Sequence, residues 1–533
     1  MSRRGKDGTL VANSSCLVTA KAGIDERNVL ASNLASRQDD PELNVQMANV
    51  QMALGETEQA LDFFNLSLHY RFDFQEACQG KMQALQSLGR VAEAIKAGQD
   101  FLLVCPQNVD VALAAAELQY RCGDHRAALR TLEPFDCGEK IDFRVANLMG
   151  LLLGRELAEF ERANVLLIRS LAAKPDWLPA LTNLGWNLLE QGNYREGYEY
   201  LDRALAIAPN DMDIRLVKSC MKLKQGLFAE GWQDFGSRHY SSFASPCPFQ
   251  FSPWSGQSLA EKSLLIYSEQ GIGDQIMFAS CFTEVITLAR HTFIECNPKL
   301  VTLFQRSFPT ATVFPKAQQD AQPLVKVFDS NIDFQVAMGD LPGHFRDHWD
   351  KFPAQAGYLL ADRGKVEFWR AKLSAMGSSF KLGLSWRGGA MGTRKHLRSI
   401  PIEQMVPVLR LPLQGISLQY DAVHADLARL YAESSIKLMH WQEAIDDYDE
   451  TAALVCALDG VLSVCTAVIH LAGALGRPTW VLAPVVPEWR YLDSGERMPW
   501  YPTVSIIRQK KMGQWGDSIE LAIQRIGEEI RNK

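Results

Sequence analysis

The sequence predicts an α plus α/β chain: an array of paired helices followed by two successive strand–helix lobes. Three observations lead there. Glycines recur at a spacing of 34 residues in the first half. In the second half, short apolar runs alternate with helical segments and Gly-rich turns. The chain has 533 residues, enough for about three domains, and its 47% apolar and 22% charged content is that of a packed globular protein.

Composition also narrows the function classes. The net charge is −7 and the isoelectric point is near 5.9. A globally basic nucleic-acid binder would carry the opposite sign, so no nucleic-acid partner is expected. Mean hydropathy is −0.11, which argues against a multi-span membrane protein. The uncharged stretch Gly460–Gly476 is short for a membrane span and reads as a buried strand and helix. Residues 1–40 read as a flexible N-terminal segment with no secretory signal, since no apolar run of sufficient length follows the early arginines. The 11 cysteines lack paired C-x-x-C spacing and read as reduced thiols of a cytoplasmic protein. No metal-ligating spacing is present either.

The repeat array is expected over residues 41–238, in about six units. Gly55, Gly89 and Gly123 are 34 residues apart, as are Gly192 and Gly226. Pro175 and Pro209 keep the same period, and a small residue follows each glycine after five positions: Ala60, Ala94, Ala128, Gly197 and Gly231. This period and pattern resemble the tetratricopeptide repeat, with the clearest unit at Ala180–Pro209. The unit over 140–175 is degenerate, with Ala158 where the turn glycine would stand. Each helical pair buries its apolar stripe only against its neighbours. The array therefore either shields the second half or presents a groove to a polypeptide.

Residues 239–262 read as an ordered connector, rich in serine, proline and phenylalanine. The first lobe is expected over 263–375, with strands at SLLIYS, TFIEC, ATVFP and IDFQVAM. The second is expected over 376–533, with strands at KLGLSW (381–386), GISLQ (415–419), IKLM (436–439), GVLSV (460–464), TWVLA (479–483) and VSIIR (504–508). Two such lobes are Rossmann-like, and the cleft between them is the default ligand site.

Four segments in these lobes can carry chemistry. Gly271-Ile-Gly273-Asp274 follows the first strand and opens a helix. The glycines permit a tight turn and close ligand approach; Asp274 is either a helix cap or a functional carboxylate. Thr466 and His470 share one helix face. Thr466 either caps its helix or donates to a phosphate at the helix N-terminus. Arg387 and the run Arg394-Lys395-His396-Leu397-Arg398 suit a diphosphate or form a solvated loop. In PEWRY (487–491), Trp489 or Tyr491 either stacks on a base or packs between the lobes.

The segments SLLIYSEQGIGDQIMFAS (263–280), GLSWRGG (383–389), RSIPIEQM (398–405), ISLQ (416–419) and DETAALVCALDGVLSVCTAVIHLAGALGRPTWVLAP (449–484), followed by PEWRY and MPWYPTVSIIRQ, resemble bacterial tetratricopeptide proteins with a heptosyltransferase-like, glycosyltransferase family 9-type GT-B domain. A more distant similarity is to O-linked N-acetylglucosamine transferases. The resemblance implies an inverting, metal-independent transfer from a nucleotide-sugar co-substrate, with no resident cofactor and no metal. It implies Asp274 as the base, and Gly271, Gly273, Arg387, Lys395, Thr466, His470 and Trp489 on the donor side. A protein acceptor in the repeat groove is implied, with flagellin or another surface protein as the family analogy. Cys465 departs from the heptosyltransferase pattern, which has Asp before this Thr. A non-catalytic adaptor, a sugar-nucleotide epimerase and a glycan-directed transferase are the alternatives.

Overall fold

The computed structural model describes residues 25–137, 140–242, 244, 247–317, 332–389 and 394–533. The chain divides into two compact units, residues 1–184 and 185–533.

The first unit consists of antiparallel helical pairs. Pro41–Leu54 pairs with Thr57–Tyr70, Gln75–Ser87 with Val91–Val104, Val109–Arg121 with His125–Leu132, and Phe143–Leu151 with Phe160–Ala173. The periodic glycines end the first helix of each pair in the left-handed region, with φ of 81° at Gly55, 74° at Gly89 and 80° at Gly123. That geometry suits a residue without Cβ. The small residues five positions on are fully buried at Ala60, Ala94, Ala128 and Ala163, where the paired helices touch. Asp40, Asn108 and Asp142 cap the first helices of their pairs by accepting backbone N–H bonds. The segment expected to be flexible holds a helix over 25–34, and its Leu30 and Leu34 bury against Met47 and Val50. That expectation is corrected for these residues; residues 1–24 lie outside the described ones.

The degenerate repeat keeps the turn without the glycine. Ala158 adopts φ 52° after a wide helical turn over Leu152–Glu156. A Cβ in this region costs about 1–2 kcal/mol. Ala158→Gly is therefore expected to stabilise the protein by about 1 kcal/mol, read as a higher denaturant midpoint at unchanged slope.

The second unit begins within the helix Leu178–Glu190 and carries Tyr194–Ile207, Met212–Lys224 and Phe228–Phe235. A Cβ at Gly197 would lie 2.7 Å from Leu189 Cγ and 2.9 Å from the Gly185 carbonyl oxygen, so only glycine lets this pair close. The last helix runs into the α/β core. Trp232 donates its indole N–H to the Arg346 carbonyl at 2.9 Å, and Phe228, Trp232 and Phe235 join the main apolar cluster.

Two five-stranded, wholly parallel sheets follow. The first is built from Ser252–Pro253 (β1), Ser263–Tyr267 (β2), His291–Cys296 (β3), Thr312–Pro315 (β4) and Phe334–Ala337 (β5), in the order β1-β5-β2-β3-β4. The second is built from Phe380–Ser385 (β6), Leu413–Ser417 (β7), Gly460–Val464 (β8), Thr479–Ala483 (β9) and Val504–Arg508 (β10), in the order β10-β9-β8-β6-β7. Strands β2, β6, β8 and β9 are buried along their length, as expected of strands with helices on both faces. The connector supplies β1, a two-residue edge strand beside β5.

The expected strand at 436–439 is corrected. Only Met439 bridges to Ile416, because the chain enters through Ser435 in the left-handed region and leaves at once for the turn before Gln442–Asp446. Gly460–Gly476 is β8 followed by the helix Ala467–Ala474, as read from sequence. No helix of the described residues is long and apolar enough to cross a membrane.

Each sheet reverses its winding once, between β2 and β5 in the first and between β6 and β8 in the second. Crevices at the C-terminal ends of such strands are where open α/β sheets take ligands. The helices Ile272–Phe278 and Ala467–Ala474, which follow β2 and β8, pack on each other and bring these two edges together.

Candidate functional site

The apposed edges enclose a cavity of about 280 Å³. Gly271, Gly273 and Asp274 line it from the first sheet; Arg398, Tyr420, Thr466, His470, Glu488 and Arg490 line it from the second. The contact is tight at Gly273. A Cβ there would lie 3.0 Å from His470 Cδ2 and 3.4 Å from Ala467 Cα, so glycine is what lets the two helices approach.

Asp274 does not cap its helix. The N-cap is Gly271, which offers no side chain. Asp274 Oδ1 instead accepts from Arg490 Nε at 2.6 Å, across 216 positions of sequence. Arg490 Nη1 reaches Glu488 Oε2 at 2.8 Å, and Arg398 Nη1 reaches Glu488 Oε1 at 3.1 Å and the Cys465 carbonyl at 3.2 Å. Four charges thus alternate in sign along one wall. Burial raises the Asp274 carboxyl above its ordinary range, and the Arg490 guanidinium offsets this only in part. Burial also raises Glu488, but Arg490 and Arg398 outweigh it and hold that carboxyl below its ordinary range. Glu488 and Arg490, which the sequence reading assigned no role, complete the site with Arg398, which it placed only within a cationic run suited to a diphosphate or a solvated loop. The signal available was their place in PEWRY and in the cationic run.

Thr466 is the N-cap of Ala467–Ala474, accepting from Val468 N at 3.2 Å, and Ser463 Oγ lies 3.2 Å from its hydroxyl. The capping reading therefore holds, and the helix N-terminus it opens faces the cavity. His470 is buried, with Nδ1 3.0 Å from the Tyr501 hydroxyl. Burial first, then the Arg490 and Arg398 cations, pull its pKa down to about 3, so the ring is neutral at neutral pH. Burial pushes the Cys465 thiol up to about 12, which keeps it protonated and removes it as a nucleophile.

Three expected donor-side residues are placed differently. Arg387 lies at the end of β6 but is held by carboxylates: Nη2 reaches Asp421 Oδ1 at 2.9 Å and Nη1 reaches Asp426 Oδ2 at 2.9 Å. Buried Gln419 fixes this corner, accepting from Ser385 Oγ, Trp386 N and Arg387 N, each at 3.1 Å. Lys395 pairs with the other Asp421 oxygen at 3.2 Å. Neither cation lines the cavity around Asp274. Their carboxylate partners are distant in sequence, so only the positive run was visible there.

Trp489 is corrected as a stacking surface. Its ring sits 5.5 Å from Phe235, 5.6 Å from Trp232 and 6.2 Å from Trp500, edge to face, and it is 8% exposed. It lines a separate cavity of about 200 Å³ with Phe235, Arg238 and Glu269. The exposed aromatic at the Asp274 cavity is Tyr420, whose hydroxyl accepts from Gly389 N at 3.0 Å.

The helical pairs form a tetratricopeptide-like array, followed by a C-terminal α/β region with two parallel, five-stranded sheets. Residues 179–211 match the family described as Tetratricopeptide repeat. Over 486 residues the chain is 26% identical to Protein FlbA of Caulobacter vibrioides (strain ATCC 19089 / CIP 103742 / CB 15), covering 81% of this chain and 80% of that protein. Among solved structures, YrrB, described as a TPR protein with an unusual peptide-binding site, is 20% identical with a TM-score of 0.30, over 36% of this chain and 97% of that one. A thermophilic TPR protein of Thermus thermophilus is 22% identical with a TM-score of 0.27, over 34% of this chain and 99% of that one.

Proposed function

We propose that the protein is an inverting, metal-independent glycosyltransferase of the GT-B type, moving a sugar from a nucleotide-sugar donor to a protein acceptor held by the repeats. One observation carries this reading. A half-buried carboxylate on one sheet edge and a capped helix N-terminus on the other line a single cavity, beside Arg398 and Arg490. In the reaction, Asp274 takes the proton of the acceptor hydroxyl as its oxygen attacks the anomeric carbon. The bond from that carbon to the diphosphate breaks, and the leaving group carries the electron pair away. Its charge is met by Arg398 and by the positive end of the helix Ala467–Ala474. The raised Asp274 pKa suits a base better than a fully stabilised carboxylate would. Tyr420, exposed at the cavity, offers a face to the nucleobase. Repeat arrays commonly hold polypeptides, which supports a protein acceptor.

A second reading is a non-catalytic adaptor. The engagement of Arg387 and Lys395 by Asp421, together with Cys465 before Thr466, favours it. Calorimetry with a panel of nucleotide sugars and the matching nucleoside diphosphates separates the two. The transferase reading expects one donor and its diphosphate to bind, and Arg398→Met to weaken both roughly 10-fold to 100-fold. Absence of binding across the panel would leave the adaptor.

A further inference from the structure

Two residues beyond Arg490 the backbone enters a conformation that side chains rarely allow. Leu492 follows the short helical turn Trp489–Tyr491 with φ 57° and ψ 175°. That region is essentially reserved for glycine, because a Cβ there crowds the backbone. A leucine persists in it only where its surroundings over-determine it. Here they do. Arg508, at the end of β10, donates to four carbonyls of this turn: Tyr491 at 2.6 Å, Ser494 and Gly495 at 2.8 Å, and Leu492 at 3.1 Å. Asp493 N donates to the Lys224 carbonyl at 2.9 Å, at the end of Met212–Lys224. The Asp493 carboxylate accepts from the Tyr194 hydroxyl at 2.6 Å. The Leu492 side chain is buried in the main apolar cluster.

We infer that Leu492, held by Arg508 and Asp493, is a positioning residue that aims Arg490 at one oxygen of Asp274. Arg490 Nε and Nη2 both meet Asp274 Oδ1, at 2.6 and 2.5 Å. Asp274 Oδ2 has no partner among the described residues. The chain leaves the cavity at Arg490 and must reach its anchors on β10 and on the last repeat helices within a few residues. A negative φ at Leu492 would turn it away from them. With the anchors kept, the turn Trp489–Tyr491 would have to rotate and carry Arg490 off Asp274.

The aim of Arg490 is a matter of geometry and stands whether or not the cleft transfers a sugar. Its consequence for turnover rests on the transferase reading and deepens it. With Oδ1 taken by the guanidinium, Oδ2 is the oxygen left to receive the proton of the acceptor hydroxyl.

The test compares Leu492→Gly with Leu492→Ala. Both remove the buried side chain, but only glycine accepts the backbone conformation without strain. The full-length protein is labelled with nitrogen-15 arginine, the Arg490 Nε–H signal is assigned with Arg490→Lys, and its exchange with water is followed by nuclear magnetic resonance. The wild type is expected to show a protected Nε–H. Leu492→Gly is expected to keep that protection, and Leu492→Ala to exchange at least about 10-fold faster. Packing alone predicts no such order, since glycine is the more flexible replacement. Equal protection in the two variants, or faster exchange in the glycine one, overturns the inference. Arg508→Gln, which spares the apolar cluster, is the second probe and is expected to lose protection; a folded Arg508→Gln with wild-type protection also overturns it. With a donor that is turned over, Leu492→Ala is expected to lower kcat by about 10-fold to 100-fold with KM for the donor within a few fold, and Leu492→Gly to remain near the wild type. Equal kcat in all three proteins would remove the turn from the reaction. Protection in the expected order with no turnover of any donor by the wild type would be a failure of the transferase reading, with the aim of Arg490 upheld.

Discussion

Asp274→Asn is expected to lower turnover by about 10²–10⁴-fold, the usual worth of a positioned general base, while donor affinity stays within a few fold. The substitution keeps the side chain's shape and removes its basicity. Arg490 retains Glu488 as a charged partner at 2.8 Å, so the wall of the cavity keeps a neutralising anion. Turnover and calorimetric donor binding, measured on the same preparation, check it. Turnover near the wild-type level would remove Asp274 from the mechanism. Loss of donor binding in proportion to turnover would make it a binding residue.

Arg490→Met is expected to destabilise the protein by about 1–3 kcal/mol, because it leaves the half-buried carboxylates of Asp274 and Glu488 beside each other with only Arg398 nearby. The loss has a definite pH dependence. Asp274 already has a folded pKa above its unfolded value, and removing the cation raises it further. Such a group contributes stability below the unfolded pKa and loses it as pH rises through the folded one. Glu488 has a depressed folded pKa in the wild type; its contribution is present above the unfolded value and lost as pH falls through the folded one. Both effects make the deficit largest at neutral pH and shrink it toward about pH 4. Thermal melts of the two proteins across that range check it; a deficit that is constant or grows in acid contradicts the arrangement. The same variant should need a higher pH for its residual turnover, since its base is more often protonated.

The legibility of this chain in its sequence follows from the range of the interactions. The 34-residue glycine period is a local signal, because each turn needs its own left-handed residue and each helical contact its own small one. Even the exception was marked: Ala158 stands where the glycine is missing and adopts φ 52°. The buried parallel strands were legible as apolar runs between Gly-rich turns. IKLM failed because an apolar run gives no information about whether a neighbouring strand has a free edge. The Gly271–Asp274 turn and Thr466–His470 were found by their position after strands. What joins them was not visible. Arg490 pairs with Asp274 from 216 positions away, and Tyr358 and Tyr501 reach Ile276 and His470 from other layers of the fold. The cations Arg387 and Lys395 read as anion ligands only while Asp421 and Asp426 were out of sight.

The most direct measurement is nucleotide release from a panel of nucleotide sugars by the purified full-length protein and by Asp274→Asn, side by side. The transferase reading predicts release from one donor by the wild type, strongly reduced in the variant although the variant still binds that donor. Donor binding with equal release by both proteins, or no binding of any donor by either, would contradict it.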